Sequence, residues 1–190
     1  MKRDAYHHGD LRETLIALAI ETLARGGPET LALRNLAERA GVSGMAPYRH
    51  FKDRAELLEA VARHGFEILR GELVAVDDPS DARKALVAFG VVYVRFACAR
   101  PGLFQVMFGG APPTPDEDLS ADGSTVYGLF LSKIARAVGA ERRMDAFLAC
   151  WCVVHGLACL AIAGRLRGSS EAPETLAARL GELVLGCLAA

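Results

Sequence analysis

The sequence predicts an all-α protein of about nine helices, with an N-terminal three-helix domain over residues 1–54 and a larger helical domain over residues 55–190. Hydrophobic residues make up 52% of the 190, led by Ala, Leu and Val, and Leu and Ala recur at helical spacing with few β-branched runs. Two capping-box patterns, which are typical of helix N-termini, lie just before such periodic stretches.

The capping boxes locate two of the N-terminal helices. Asp10-x-x-Glu13 opens the first, and Gly26-Gly27 closes it. Asp53-x-x-Glu56 opens a longer helix that is predicted to run towards Val76.

Between these helices lies a helix-turn-helix pattern. A short helix is predicted over residues 34–40, and Gly41 follows at a position that favours positive φ. After a tight turn, Ser43 is predicted to cap a third helix that ends at about Phe51.

The second domain follows a break at residues 77–80. A helix over residues 81–100 ends at Pro101-Gly102 and is followed by a short helical turn over residues 103–108. Residues 109–123 contain three prolines and four acidic residues and are predicted to form an exposed loop. Three more helices are predicted over residues 124–138, 142–166 and 174–188.

The helix-turn-helix region is locally basic. The chain has 22 Lys and Arg against 23 Asp and Glu, but residues 34–54, RNLAERAGVSGMAPYRHFKDR, hold five basic residues and two acidic ones. A short second helix with small residues near its start fits a DNA major groove, and basic or polar side chains nearby can contact phosphates. A solvated basic face on two ordinary helices remains the alternative.

AGVSGMAPYRHFKDRAELLEAV resembles the DNA-binding signature of the tetracycline-repressor (TetR) family of bacterial regulators. YHHGDLRETLIALAIETLARGG resembles the first helix of that family and the residues before it. ARPGLFQVMFG, Trp151 and His155-Gly156 are similar to a subgroup with a Trp-His-Gly pattern in the C-terminal domain. The resemblance implies a homodimer with one helix-turn-helix per subunit and an effector pocket in the C-terminal domain.

The resemblance also assigns individual positions. Ser43, at the start of the predicted recognition helix, is also predicted to contact DNA. Base-facing positions correspond to Arg34, Gly44, Met45, Ala46 and Arg49. Phosphate-facing positions correspond to Tyr48, His50, Lys52 and Arg54. Two residues depart from the family pattern: Ala32 stands where Ser or Thr usually caps the second helix, and Pro47 delays the start of the recognition helix.

Aromatic residues of the second domain suggest an apolar pocket with a few polar anchors. An indole and an imidazole lie one turn apart in a stripe that is otherwise typical of a helix core, and both need polar partners when buried. The predicted ligand-binding residues are Phe89, Tyr93, Phe104, Met107, Phe108, Phe130, Phe147, Trp151 and His155.

Cys152, His155 and Cys159 share one helical face but are too far apart for a single zinc ion. Residues 152 and 159 lie about 10.5 Å apart along a helix, whereas two thiolates on one zinc lie at most about 4.6 Å apart. The trio is therefore excluded as a single metal site, and a pair with ligands from elsewhere is the remaining alternative. We expect no metal and expect these cysteines to be buried and structural.

Residues 146–164 contain no Asp, Glu, Lys or Arg. Arginines flank this stretch on both sides, which gives no orientation bias for membrane insertion. Burial against the protein's own domain on one side and a second subunit on the other explains it better. A stripe at Leu176, Leu180, Leu183, Cys187 and Leu188 joins it, so the last two helices are predicted to form a dimer interface.

Together with these patterns, the resemblance implies a cytoplasmic, dimeric repressor that binds a double-stranded DNA operator and releases it when a small, largely apolar effector binds. No membrane partner and no cofactor are expected. The sequence lacks the G-x-S-x-G, P-loop, G-x-G-x-x-G and H-E-x-x-H motifs, so no enzyme activity is expected. The alternatives are a metal- or redox-sensing regulator that uses Cys and His, and a small-molecule carrier or enzyme that reuses the fold.

Overall fold

The computed structural model describes residues 11–110, 124–166 and 170–189, and its regular elements are helical throughout these ranges. The prediction of an all-α fold is confirmed. Asp10 and most of the predicted loop at residues 109–123 lie outside the described residues. The eight α-helices of the described part are α1 (Leu11–Leu23), α2 (Leu33–Arg39), α3 (Arg54–Ala75), α4 (Ala82–Ala99), α5 (Pro101–Gly109), α6 (Val126–Val138), α7 (Arg143–Ile162) and α8 (Pro173–Ala189).

The chain divides into two compact units. The N-terminal unit comprises Met1–Gly65 and Gly102–Gly110, and the C-terminal unit comprises Phe66–Pro101 and Ala111–Ala190. Helix α3 contributes residues to both, so the chain passes from one unit to the other within a continuous helix.

The core of the N-terminal unit combines the inward faces of α1, α2 and the first half of α3. Leu15, Leu36 and Leu57 are buried there almost completely. Helix α5 returns to this unit, and a Cβ atom on Gly102 would collide with the carbonyl oxygen of Leu23. The glycine therefore permits close packing of α5 against the end of α1.

Three glycines of the described residues end helices by adopting positive φ, and one of them is Gly139, with φ +90° after α6. Gly41 has φ +69° after α2, as predicted, and Val42 N–H donates to the Ala37 carbonyl across the turn. Gly164 has φ +63°, and Arg165 N–H donates to the Leu160 carbonyl at 2.8 Å. This second turn ends α7 at Ile162, four residues before the predicted end at residue 166.

In the C-terminal unit, α4 packs against α6, α7 and α8, and α7 also packs against α6 and α8. Phe89, Tyr93 and Phe96 of α4 are buried completely or almost completely. A Cβ atom on Gly90 would lie 3.3 Å from Cγ1 of Val154, so the missing side chain brings α4 and α7 close together.

Helix α6 also holds the connection between α3 and α4. Lys133 is 5% exposed, and its ammonium group pairs with the Asp77 carboxylate at 2.5 Å. Arg136 donates to the Pro79 carbonyl at 2.6 Å. A buried charge is stable only with such a partner, so this ion pair fixes the end of α3 to α6.

Helix α7 has the length and apolar composition of a membrane-spanning helix, but such a helix is also typical of a protein core. Only 28% of the most apolar 18-residue stretch of this helix is buried within a single chain. The other residues of α7 are half-buried or exposed in a single chain, and Leu148 and Leu160 are among the exposed ones.

Candidate nucleic-acid interface and aromatic cluster

The recognition segment, residues 43–51, is anchored by two buried side chains, Pro47 and Phe51. Its central part is a 3₁₀-helix over Ala46–Arg49 rather than the predicted helix from Ser43 to Phe51. Pro47 explains the difference, because it has no N–H to donate to the Ser43 carbonyl. Ala46 N–H donates to that carbonyl instead, at 2.9 Å. Met45, without a side-chain hydrogen bond, occupies the cap position that was predicted for Ser43.

The predicted DNA-binding side chains lie at the surface of the N-terminal unit. Met45 is 72% exposed and Tyr48 is 47% exposed, although both are large and partly apolar. Ala46 is half-buried beside them. The other predicted contacts are exposed as well: Arg34, Ser43, Gly44, Arg49, His50, Lys52 and Arg54.

Arg34 lies next to the recognition segment although it belongs to α2. A Cβ atom on Gly44 would lie 4.0 Å from Cγ of Arg34. Among the described residues, Arg34, Arg49 and Lys52 have no ion-pair partner. Their charges therefore remain available to an anionic partner at this surface.

Arg54 differs from these three cations because its guanidinium group holds a loop. Its Nε donates to the Leu31 carbonyl at 3.0 Å, and Nη2 donates to the Pro28 carbonyl. The side chain thereby ties the start of α3 to the loop between α1 and α2. No sequence pattern indicates this structural role.

The capping predictions on either side of the segment have different outcomes. Asp53 accepts the Glu56 N–H at 3.0 Å, as predicted. The Glu56 carboxylate accepts the Lys52 N–H at 2.6 Å, so the two residues cap the start of α3 from both sides. Ala32 precedes α2 without a side-chain cap, which confirms that this departure leaves the helix start uncapped.

Six of the predicted ligand-binding residues come together in the C-terminal unit. With Tyr127, they form the aromatic cluster: Phe89, Tyr93, Tyr127, Phe130, Phe147, Trp151 and His155. Sequence reasoning missed Tyr127. Its position three residues before Phe130, on the same face of α6, was the signal that could have found it.

Trp151 is the centre of the aromatic cluster. Its ring is stacked on Tyr127, with centroids 4.6 Å apart and planes at 15°. It is also stacked on His155, with centroids 5.8 Å apart and planes at 18°. Three flat side chains from α6 and α7 are therefore nearly parallel.

Tyr93 and His155 form the polar pair of the cluster, with the hydroxyl oxygen 2.8 Å from Nδ1. Burial raises the pKa of Tyr93, and the nearby Tyr127 and Cys159 add to this shift. Burial also lowers the pKa of His155, so its neutral form is favoured. This hydrogen bond gives the buried Tyr93 hydroxyl a polar partner.

The other three predicted ligand-binding residues, Phe104, Met107 and Phe108, belong to the N-terminal unit. A Cβ atom on Gly65 would collide with the sulfur of Met107, so that side chain packs on α3. Phe104 and Phe108 contact each other, with centroids 4.7 Å apart.

A partly open cavity of about 20 Å³ lies on another side of α7, between α4 and α8. Cys150, Val153 and Val154 contribute to its apolar lining, and Phe130 also lines it. The volume is sufficient for about one water molecule. This cavity does not hold a small-molecule effector in the present arrangement.

The cysteines differ from expectation. Cys152 and Cys159 are exposed in a single chain, so the prediction that they are buried is wrong at that level. Burial raises the pKa of the half-buried Cys98 and Cys150 thiols, which favours their unreactive form. Within the described ranges, no group of three or more His, Cys, Asp or Glu side chains could hold a metal ion.

Exposed apolar side chains lie on the outer faces of α7 and α8. Leu148, Leu160 and Leu183 are 52%, 46% and 61% exposed. A Cβ atom on Gly156 or Gly186 would meet nothing within 4 Å. The predicted stripe on α8 is divided, because Leu176 is 6% exposed and packs within its own unit.

Family models match both parts of the chain. Residues 15–61 match the model described as bacterial regulatory proteins of the tetR family. Residues 86–184 match the model described as a tetracyclin repressor-like C-terminal domain.

Curated relatives match over part of their length. The nucleoid occlusion factor SlmA of Marinobacter nauticus is 27% identical over 128 residues, which cover 67% of this chain and 66% of SlmA. The class C tetracycline repressor protein of Escherichia coli is 49% identical over 51 residues, which cover 27% of this chain and 23% of the repressor. This chain thus spans less than two thirds of each of these relatives.

Solved structures match over nearly the whole chain. A protein of unknown function from Rhodococcus sp. RHA1 is 32% identical with a TM-score of 0.81, and the match covers 98% of this chain and 100% of that one. TetR from Acinetobacter baumannii AYE is 20% identical with a TM-score of 0.68, and the match covers 92% and 94%. Because the second family model alone covers more than half of the chain, and the first covers most of its N-terminal part, the chain belongs to the TetR family of bacterial regulatory proteins.

Proposed function

We propose that this protein is a homodimeric transcription repressor that binds a double-stranded DNA operator and releases it when a small, largely apolar effector binds. The observation that carries the proposal is the exposed basic surface around the recognition segment, with Arg34, Arg49 and Lys52 beside the buried anchors Pro47 and Phe51. Such a regulator acts in the cytoplasm, with the DNA that it binds.

In the DNA complex, Arg34 and Arg49 read base edges, because guanidinium groups pair in bidentate fashion with guanine. Gly44 and Ala46 allow close approach, and Met45 offers apolar contact to a thymine methyl group. Tyr48, His50 and Lys52 contact phosphates. Arg54 contributes by holding the loop at Pro28 and Leu31, and its remaining N–H groups can also face a phosphate.

The dimer forms through the outer faces of α7 and α8. Three exposed leucines, Leu148, Leu160 and Leu183, supply the apolar surface, and Gly156 and Gly186 let helices approach closely. Two helices from each subunit make a four-helix contact. This contact spaces the two recognition segments for successive major grooves, which are about 34 to 36 Å apart.

The effector binds at the aromatic cluster. Trp151, Tyr127 and His155 present nearly parallel faces, and the hydrogen-bonded Tyr93 and His155 provide polarity in an otherwise apolar site. Because Trp151 and His155 belong to this site and Gly156 directly follows His155, we also assign the chain to the subgroup with a Trp-His-Gly pattern.

Release of the operator is a population shift. An effector that prefers one arrangement of the subunits lowers operator affinity only by its differential affinity for the two arrangements. Helix α6 is suited to report occupancy, because it carries Tyr127 of the cluster and also Lys133, which pairs with Asp77 beyond the end of α3.

The test is a selection of duplexes from a random pool at low salt, followed by affinity measurements on the selected sequence. The proposal predicts enrichment of a palindromic site with half-sites one helical turn apart. If no duplex is bound at any salt concentration, the protein is not a DNA-binding regulator.

A further inference from the structure

The N-terminal unit contains a second polar surface that the recognition segment does not use. It is a cleft of about 300 Å³ between the last turn of α1 and one side of α2. Its walls carry two guanidinium groups, two hydroxyls and an amide, and no carboxylate lines it. The polar lining residues are Thr22, Arg25, Thr30, Asn35 and Arg39.

Arg39 forms a fixed wall of this cleft. Its Nη1 donates to the Leu18 carbonyl at 3.0 Å and to the Thr22 hydroxyl at 2.6 Å, while Nη2 pairs with the Glu21 carboxylate at 2.7 Å. These bonds use three of the five N–H groups of the guanidinium. The group is therefore held in place, and two N–H groups remain beyond these bonds.

Arg25 and Asn35 supply the adaptable donors. Both side chains are exposed, and neither has a hydrogen-bond or ion-pair partner among the described residues. Because Glu21 offsets the charge of Arg39, the net positive charge of the lining comes from Arg25. Its guanidinium can form bidentate, charge-assisted hydrogen bonds to a phosphate.

The cleft lies close to the DNA-reading surface, which consists of Arg34 and the recognition segment. Ala32, Asn35 and Arg39 lie at helical spacing on the side of α2 that faces α1. Arg34, the residue before Asn35, lies beside Gly44 of the recognition segment. The same short helix thus presents one side to the recognition segment and the neighbouring side to the cleft.

We propose that this cleft binds a backbone phosphate of the operator, with Arg25 and Asn35 as the contacts and Arg39 as the fixed wall. A phosphodiester carries one negative charge and two unesterified oxygens, which match several converging N–H donors. The contact extends the DNA footprint beyond the recognition segment and positions the protein without reading sequence. This inference rests on the proposed DNA-binding function.

The experiment compares the full-length protein with Arg25→Ala and Asn35→Ala in fluorescence-anisotropy titrations of the selected duplex over a series of salt concentrations. Arg63→Ala is the matched control, since Arg63 is an exposed arginine of the same unit outside the cleft. Thermal melts verify that each variant is folded. Arg39 is left intact because its bonds join α1 to α2.

The affinity falls as the salt concentration rises. Losing one phosphate contact in each of two subunits makes the slope of log affinity against log salt concentration shallower by about 2. The ratio of the operator affinity of the unaltered protein to that of Arg25→Ala should therefore fall about tenfold between 50 and 200 mM salt. Asn35→Ala should weaken all sequences about equally, and Arg63→Ala should change nothing.

An unchanged slope and affinity in Arg25→Ala would overturn the inference while leaving the proposed function in place, because the unaltered protein still binds DNA. A change that depends on sequence would also overturn it, since it would indicate a base contact. In the first case, a titration with inorganic phosphate would show whether the cleft binds a free anion instead.

Discussion

The recognition segment and the aromatic cluster differ in which of their parts are buried. In the recognition segment, Pro47 and Phe51 are buried and the polar side chains point to solvent. In the aromatic cluster, the polar pair of Tyr93 and His155 lies among rings, and burial shifts the pKa of both groups. A large, charged partner can be bound by exposed side chains that buried anchor residues hold in place. A small apolar ligand instead requires a buried site in which the polar groups already have hydrogen-bond partners.

The largest expected effect tests whether operator binding requires the DNA-reading surfaces of both subunits of a dimer. Leu183→Glu places a charge on the outer face of α8, where the side chain is 61% exposed in one chain, so the subunit should still fold. The dimer should dissociate, and operator affinity should fall by about 10² to 10⁴ because the two half-sites are no longer bound together. Sedimentation and anisotropy measure the two effects.

Val74→Glu is the matched control for this change, because Val74 is also a large exposed hydrophobic residue but lies on α3. This variant should remain dimeric and bind the operator normally. A Leu183→Glu protein that stays dimeric would place the interface elsewhere.

The next effect separates the two kinds of contact within the DNA-reading surface. Arg49→Ala should change the preference between sequences by about 1–3 kcal/mol for each half-site, because a bidentate base contact is lost. Lys52→Ala should weaken every sequence about equally and lower the salt slope by about 1 per subunit. Competition among duplexes that differ at single positions measures both. If both changes lower the affinity for every duplex sequence equally, Arg49 contacts a phosphate and not a base.

Arg54 should affect stability more than its neighbours do. Arg54→Ala removes the hydrogen bonds to the Leu31 and Pro28 carbonyls, and bonds that involve a charged group contribute about 1.5–3 kcal/mol. Chemical denaturation should therefore show a lower free energy of unfolding than for Lys52→Ala. Equal stabilities of these two variants would contradict the structural role of Arg54.

The smallest effect concerns the polar pair of the cluster. The pKa of His155 is lowered in the folded protein, whereas the unfolded chain titrates near its usual value of about 6.5. Between the folded and the unfolded pKa of His155, the unfolded state binds more protons than the folded state does. The free energy of unfolding therefore decreases as the pH falls through this range. In His155→Gln, the melting temperature should depend less on pH between 7 and 5.

His50→Gln serves as the comparison, because it removes an exposed imidazole of the N-terminal unit. An equal flattening of the pH profile in both variants would show that the effect does not come from the aromatic cluster.

Local patterns predicted most of the fold. The capping pair at Asp53 and Glu56, the positive φ of Gly41 and the uncapped Ala32 depend on neighbouring residues and agree with the structure. Residues within four positions of each other determine these features, so a single sequence contains the information.

The errors have physical reasons. Pro47 was expected to delay the recognition helix, but its missing N–H also changes the hydrogen-bond pattern to 3₁₀. Helix α7 is apolar on all sides, so its sequence does not distinguish the face that packs on α4 from the face that exposes Leu148 and Cys152. The role of Arg54 depends on carbonyls 23 and 26 residues away, and such contacts leave no periodic pattern.

The stacking of Trp151 gives the protein an internal optical reporter. It is the single tryptophan of the chain, and its ring is stacked on both Tyr127 and His155. Its emission therefore reports from the aromatic cluster alone, and a planar compound that inserts beside the indole should quench or shift it. Compound libraries can be screened on the unlabelled protein in solution, so the search for the effector does not depend on first knowing the operator.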